Sequence, residues 1–153
     1  MTNIYNLFKF IEEKEPEYRI PLNLKLIHAP ETLTSEDLNV KGDLNLFNTK
    51  ITSLPDNLRV GGSLDLSNTK IKSLPSNLQV KGDLDLRDTK ITSLPSDLQV
   101  GGFLNLSFTP ITSLPRGLKV GGDLGLSHTP LSQKYTKKQI RKMVPGVKGE
   151  IYL

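Results

Sequence analysis

The chain has 153 residues, about the size of one domain, and carries 20 Lys and Arg against 16 Asp and Glu, a net charge of +4. Its apolar content of 36% is below the ~45–50% usual in globular proteins, which favours a thin, elongated core over a spherical one. With no cysteine, a disulfide framework, a thiolate zinc site and a cysteine nucleophile are excluded together, and the composition suits a reducing compartment.

Residues 1–19 read as an N-terminal helical cap. Ile4, Leu7, Phe8 and Ile11 recur at helical spacing between Asn3 and Lys14, and Pro16 is expected to stop the helix. Lys9, Glu12 and Glu13 interrupt the apolar residues, so the segment lacks the apolar core of a signal peptide. No stretch approaches the ~18 apolar residues of a membrane span. A location in the cytoplasm, without membrane contact, is expected.

Residues 20–130 are expected to form a solenoid. Written from Val60, the unit is V-G-G-S-L-D-L-S-N-T-K-I-K-S-L-P-S-N-L-Q, and it recurs from Val40, Val80 and Val100, with a half unit from Val120. Leu-x-Leu alternation predicts a strand with one face buried. The preceding Gly pair allows a turn or a close backbone approach, and the later Leu-Pro fixes an extended corner. Leu58, Val60, Leu64, Leu66, Ile71 and Leu74 are expected to point inward, each column stacking on its equivalents, because one unit cannot cover its own apolar face. Parallel strands are predicted at 44–46, 64–66, 84–86, 104–106 and 124–126. The Thr column (Thr49, Thr69, Thr89, Thr109, Thr129) is expected to turn its hydroxyls toward backbone groups at the corner. Ile20-Pro21-Leu22-Asn23-Leu24-Lys25-Leu26 sits one period before Val40 and reads as a degenerate first strand.

Residues 131–153 read as a C-terminal cap with a short helix and a last strand. Thr136-Lys137-Lys138-Gln139 fits a capping box, and Ile140, Met143 and Val144 supply an apolar face before Pro145-Gly146. Val147-Lys148-Gly149-Glu150-Ile151-Tyr152-Leu153 matches the start of the unit at Val80, so the chain is expected to end on one more rung. Seven strands at ~4.8 Å spacing would make a rod about 30 Å long.

The L-x-L-x-x-T-x-I core and L-P-x-x-L tail resemble the leucine-rich repeats of bacterial effector proteins and, more closely, the short threonine-bearing leucine-rich proteins of bacteriophage and prophage genomes. The resemblance covers residues 20–130 and implies a leucine-rich-repeat-like stack of parallel strands. Thr in place of the usual Asn, and the extra Gly-Gly, leave a three-sided parallel β-helix open as the alternative. Effector ubiquitin ligases of this type carry a separate catalytic domain that uses cysteine; this chain has neither, so that activity does not follow. The phage-type resemblance implies a host-directed role, such as inhibition of a bacterial factor or defence system.

Catalytic chemistry is hard to assemble from these residues. His28 and His128 lie a hundred positions apart, too far for a shared metal site, and no glycine run matches a phosphate loop. No cofactor, metal ligand or catalytic residue is expected. The charge is uneven: residues 1–19 sum to −1, residues 20–130 to zero and residues 131–153 to +5. That distribution disfavours phosphate contacts along the body. It leaves the basic C-terminal helix as the alternative, nucleic-acid-associated reading. Lys41 and Lys81, with Lys50, Lys70 and Lys90, read as solubilising edges.

The candidate binding face is the outward side of the Leu-x-Leu strands. Asp65, Asp83, Asp85, Arg87 and Asn105 make it polar and mainly acidic, and stacked Asp65 and Asp85 are expected to repel. Phe47, Phe103 and Phe108 depart from a consensus of Ser, Asp and Asn, and exposed aromatics are the material of interface hot spots. Phe103 and Phe108 are the expected anchor, and their reversion to Ser and Asn is expected to leave stability intact; the alternative is that each phenylalanine folds over a neighbouring rung or, for Phe47, a cap. The expected function is a non-enzymatic module that binds another protein with a basic or mixed surface.

Overall fold

A computed structural model describes residues 4–15 and 19–153. Its body is a parallel β-solenoid of about four turns with helices at both ends. A three-sided β-helix fits the same arrangement. Pro16, the expected helix stop, lies outside the described residues.

Each 20-residue turn contributes two short strands where the sequence suggested one. The first set, β1, β3, β5, β7 and β9 (Asn39–Val40, Arg59–Val60, Gln79–Val80, Gln99–Val100, Lys119–Val120), stacks into a five-stranded sheet. The second set, β2, β4, β6, β8 and β10 (Leu44–Asn45, Leu64–Asp65, Leu84–Asp85, Leu104–Asn105, Leu124–Gly125), is joined by β11 (Ile151–Tyr152) in a six-stranded sheet. Equivalent residues pair in register, Leu44 with Leu64 and Val60 with Val80. Ladder bonds continue past the second set: the Leu46 N–H donates to Asp65 O at 2.8 Å and the Asn48 N–H to Ser67 O at 3.0 Å. The Gly pair forms the corner between the sheets, which a single-strand reading of V-G-G-x-L-x-L overlooks.

After the second strand the chain turns through a left-handed residue: Asn48, Asn68, Asp88, Phe108 and His128 have φ between 54° and 59°. Asn and Asp tolerate this conformation better than other side-chain-bearing residues, which accounts for three of the five. Immediately afterwards each Thr hydroxyl donates to the carbonyl three residues back, Thr69 to Leu66 O at 2.7 Å and Thr109 to Leu106 O at 2.6 Å. All five Thr residues make this bond. The hydroxyl thus satisfies a carbonyl that the turn would strand in an apolar interior. Among the described residues no buried side-chain polar atom lacks a partner.

The inward columns are as the repeat requires: Leu58, Val60, Leu64, Leu66, Ile71 and Leu74 belong to one continuous core. Burying each such side chain contributes ~1.5–3 kcal/mol, and every rung presents the same surface to the next.

The degenerate first strand is not a strand. Leu22–His28 forms helix α2, after α1 (Ile4–Lys14) and before a short 3-10 turn at Pro30–Thr32. Ile20–Leu26 lacks the Gly pair that lets neighbouring rungs approach. With Pro21 at its N-cap, the segment buries Lys25 and Leu26 and leaves Leu24 exposed, a helical rather than alternating pattern. Stacked strands therefore begin at Asn39. In α1, Phe8 is buried with Ile20 and Ala29 in a small second core that Ile11 flanks, while Ile4 and Leu7 are exposed.

The C-terminal end follows the sequence closely. Thr129 caps α3 (Pro130–Lys134) through a capping box with Ser132, an element the sequence did not announce. Thr136 and Gln139 form the expected capping box on α4 (Lys137–Met143). The chain then re-enters the stack: Val147 bridges Val120, and Ile151 and Tyr152 pair with Leu124 and Gly125.

Candidate functional site

The outward face of the six-stranded sheet carries the candidate binding residues, and most of its carboxylates and amides are occupied with backbone. In the central column, the Oδ1 atoms of Asn45, Asp65, Asp85 and Asn105 each accept the N–H two residues on, at Phe47, Ser67, Arg87 and Ser107, over 2.9–3.1 Å. Asp65 also accepts from the Ser67 hydroxyl at 2.6 Å. In the preceding column the bond crosses rungs: Asp43 accepts the Ser63 N–H and Asp83 the Phe103 N–H, both at 2.7 Å, and Asp123 accepts the Glu150 N–H at 2.8 Å. These acids close the outer surface of the ladder as well as charging it.

Asp65 and Asp85 lie side by side in register, as the repulsion argument supposed, but the structure supplies a counter-charge. Arg87 Nη2 reaches Asp85 Oδ2 at 2.7 Å, and Arg87 Nε bonds the same carboxylate. The guanidinium is held above its ordinary value by its hydrogen bond to Asp85 and that residue's charge, with further contributions from Asp65 and Asp88. Arg87 thus partly neutralises a rung that also bears Asp83 and Asp88.

The three phenylalanines separate into different roles. Phe47 is 55% exposed and Phe108 52% exposed. Phe103 is half-buried, because its ring lies over Gly125 on the next rung: a Cβ on Gly125 would stand 3.0 Å from Phe103 Cζ. For Phe103 the structure thus favours the alternative, a ring folded over a neighbouring rung, over a free-standing anchor. Gly125 follows Asn45, Asp65, Asp85 and Asn105 in its column, with Tyr152 next, and Phe103 fills the space its missing side chain leaves. Phe108 occupies the left-handed corner and stacks on His128, with ring centroids 4.3 Å apart and planes 11° from parallel. On the last rung Tyr152, 48% exposed, stands beside Gly125 in the central column, and its hydroxyl lies 3.4 Å from Asp123 Oδ2. Asp123's charge, followed by burial and its hydrogen bond, raises the Tyr152 phenol above its ordinary value.

Two members of this patch were not singled out from the sequence. The stacking of His128 on Phe108 follows from their shared corner column, which the 20-residue spacing gives. Tyr152 required the register of the final rung. Phe47 stands near the other end, three rungs from Phe108.

Three of the six cations of the basic C-terminal segment make contacts within the fold. Arg141 Nη1 donates to Val147 O at 2.9 Å, Lys134 Nζ lies 5.1 Å from the Tyr135 ring centre and Lys137 Nζ lies 5.8 Å from that of Tyr152. Among the described residues no group of three or more His, Asp or Glu side chains is placed to hold a metal ion, and no helix is long and apolar enough to cross a membrane. No family model matches the chain and no curated protein matches its sequence, so the parallel stack itself is the ground for any functional reading.

Proposed function

We propose that this chain is a non-enzymatic interaction module that binds another protein through the C-terminal half of its six-stranded sheet. The observation that carries the reading is Phe108: a bulky aromatic at a left-handed corner, exposed, stacked on His128. The backbone there prefers Asn, and a positive φ in a bulky residue costs about 1 kcal/mol or more, so the ring brings the fold little that Asn would not. The stacked Phe108 and His128 stand at the edge of a sheet face that carries Asp85, Asn105 and Asp123, which supplies an aromatic anchor beside polar groups, as in an interface. Its acidic rim suits a partner with a basic or mixed surface. The resemblance of the repeat to short phage-type leucine-rich proteins supports a bacterial host factor as that partner, with inhibition as the outcome.

The test is capture of partners from a bacterial lysate by the wild-type chain and by Phe108→Asn, followed by affinity measurement on the purified partner. A hot-spot ring contributes ~2 kcal/mol, roughly thirtyfold in affinity. A partner lost on Phe108→Asn, with the melting temperature unchanged, supports the reading. Partners retained at full affinity by the variant overturn it.

A further inference from the structure

The neutral charge sum of residues 20–130 conceals a segregation that the fold creates. The outer face of the five-stranded sheet bears Lys41, Arg59, Lys81, Lys119 and Lys148, all exposed. It forms a groove of about 640 Å³ over the last rungs, continued by a depression of about 380 Å³ over the first, with Lys81 shared by the two. No Asp or Glu lines either part, and among the described residues none of the five cations forms an ion pair. Asp43, Asp65, Asp83, Asp85, Asp88 and Asp123 lie on the other sheet or the corner that follows it. Lys41 and Lys81, expected to be a solubilising edge, belong to this face.

We propose that this groove is a second binding site, distinct from the aromatic face, and that it holds an extended acidic peptide segment of a partner protein. The five cations sit on rungs spaced by ~4.8 Å, so the run from the Lys41 rung to the Lys148 rung covers about 24 Å, the length of roughly seven extended residues. The floor is low because Gly61, Gly101 and Gly121 share a column with Lys41, Lys81 and Lys148 and carry no side chain. A ligand backbone can therefore lie close to the sheet, where the in-register amides of Gln79 and Gln99 can bond its peptide groups. Among the described residues no aromatic side chain lines the groove, and single-stranded nucleic acid is held without sequence preference by stacking bases on such rings. Peptide carboxylates need only the cations and the amides present.

The test is fluorescence anisotropy of a labelled eight-residue peptide alternating glutamate and threonine, at low salt, against the full chain. The wild-type chain binds it, and affinity falls with added salt as ion pairs are screened. Lys81→Glu with Lys119→Glu weakens binding at least tenfold while the melting temperature holds. Should that variant not fold, Lys81→Gln with Lys119→Gln, which places the groove's own amide type at both positions, weakens binding in the same direction. Phe108→Asn leaves peptide affinity unchanged, which separates this site from the aromatic face. Absence of binding, equal binding by the folded charge variants, or tighter binding of an oligodeoxythymidine than of the peptide would each overturn the proposal; the last would assign the groove to nucleic acid.

Discussion

At the C-terminal end the stack is closed by more of itself: after α3 and α4, residues 147–153 take up the ladder in register with Val120, Leu124 and Gly125. At the N-terminal end no further rung is made. Helices lie against the first rung instead, with a small core of Phe8, Ile20 and Ala29 and a charged staple. There Lys25 Nζ, almost fully buried, contacts Glu12 Oε1 at 2.6 Å and Asp37 Oδ2 at 3.2 Å, tying α1, α2 and the loop before β1 together. The two ends solve the same problem, an open sheet edge with unpaired backbone and bare leucines. The C-terminal solution inherits the cooperativity of the ladder. The N-terminal one depends on a few polar contacts, so the ends should respond differently to perturbation.

The largest effect is expected from deleting Ile151–Leu153. Ile151 is buried, and its loss uncovers Leu124 and Leu126. Removing one such side chain costs ~2–5 kcal/mol, a fall of roughly 10 °C in melting temperature for a chain of this length. An unchanged thermal melt would show that the last rung does not close the stack.

Lys25→Met should cost less, about 2 kcal/mol, by leaving two half-buried carboxylates without their cation. The effect is local: amide exchange should accelerate in α1 and α2 and stay constant in the rungs from Leu84 onward. Uniform acceleration along the chain would refute the division of the two ends. Titration sharpens the same point. Burial alone would raise the Asp37 carboxyl, but hydrogen bonds from Thr34 and Lys25 hold it below the ordinary carboxylate range. Burial alone would lower the Lys25 ammonium, but its bonds to Glu12 and Asp37 hold it above its ordinary value. A depressed carboxylate stabilises above its unfolded pKa and loses that contribution as pH falls through the folded one. A raised amine stabilises below its unfolded pKa and loses it as pH rises through the folded one. Protection of α1 should therefore hold at intermediate pH and weaken below about pH 4 and above about pH 10, without a matching change at β11.

Smaller effects are expected on the outer face. Phe103→Asp should destabilise by about 1 kcal/mol, because Gly125 is left uncovered. Adding Gly125→Asn restores the polar columns of the earlier rungs and should recover most of the loss, a coupling of ~0.5–1.5 kcal/mol in a double-mutant cycle. Additive losses would mean that the ring and the glycine are not a pair. Asp85→Asn should be nearly neutral, since Asn45 and Asn105 make the same backbone bond. In binding it should mainly slow association with a basic partner at low salt, and an unchanged association rate would remove the acidic rim from the interface.

Much of the stack was legible because twenty-residue self-similarity fixes register without reference to packing detail: the inward leucines, the Thr bonds and the final rung at residues 147–153 all follow from it. Ile20–Leu26 misled because Leu-x-Leu-x-Leu carries both periods when Lys25 is free to turn inward, and Lys25 can do so only with Glu12 and Asp37 beside it, a tertiary fact. The second sheet was missed because Val60 and Leu64 read as one strand until the Gly corner bends between them. On the face, columns could be written out from the sequence, but not which side chains lean on the next rung. Phe103 and Phe108 look equivalent as departures from consensus, and only geometry separates the ring covering Gly125 from the ring stacked on His128. Charge summed along the chain hid a division across it.

Because Leu64, Leu84 and Leu104 meet identical neighbours above and below, no rung encodes its own ordinal place. Removing residues 60–79, or inserting a second copy of them, leaves both ends intact and alters the distance between them by one step of ~4.8 Å. The gene for such a chain is a ruler with divisions of twenty codons, on which recombination between repeats resets the span separating Phe47 from Phe108 while preserving every contact that holds the rod together.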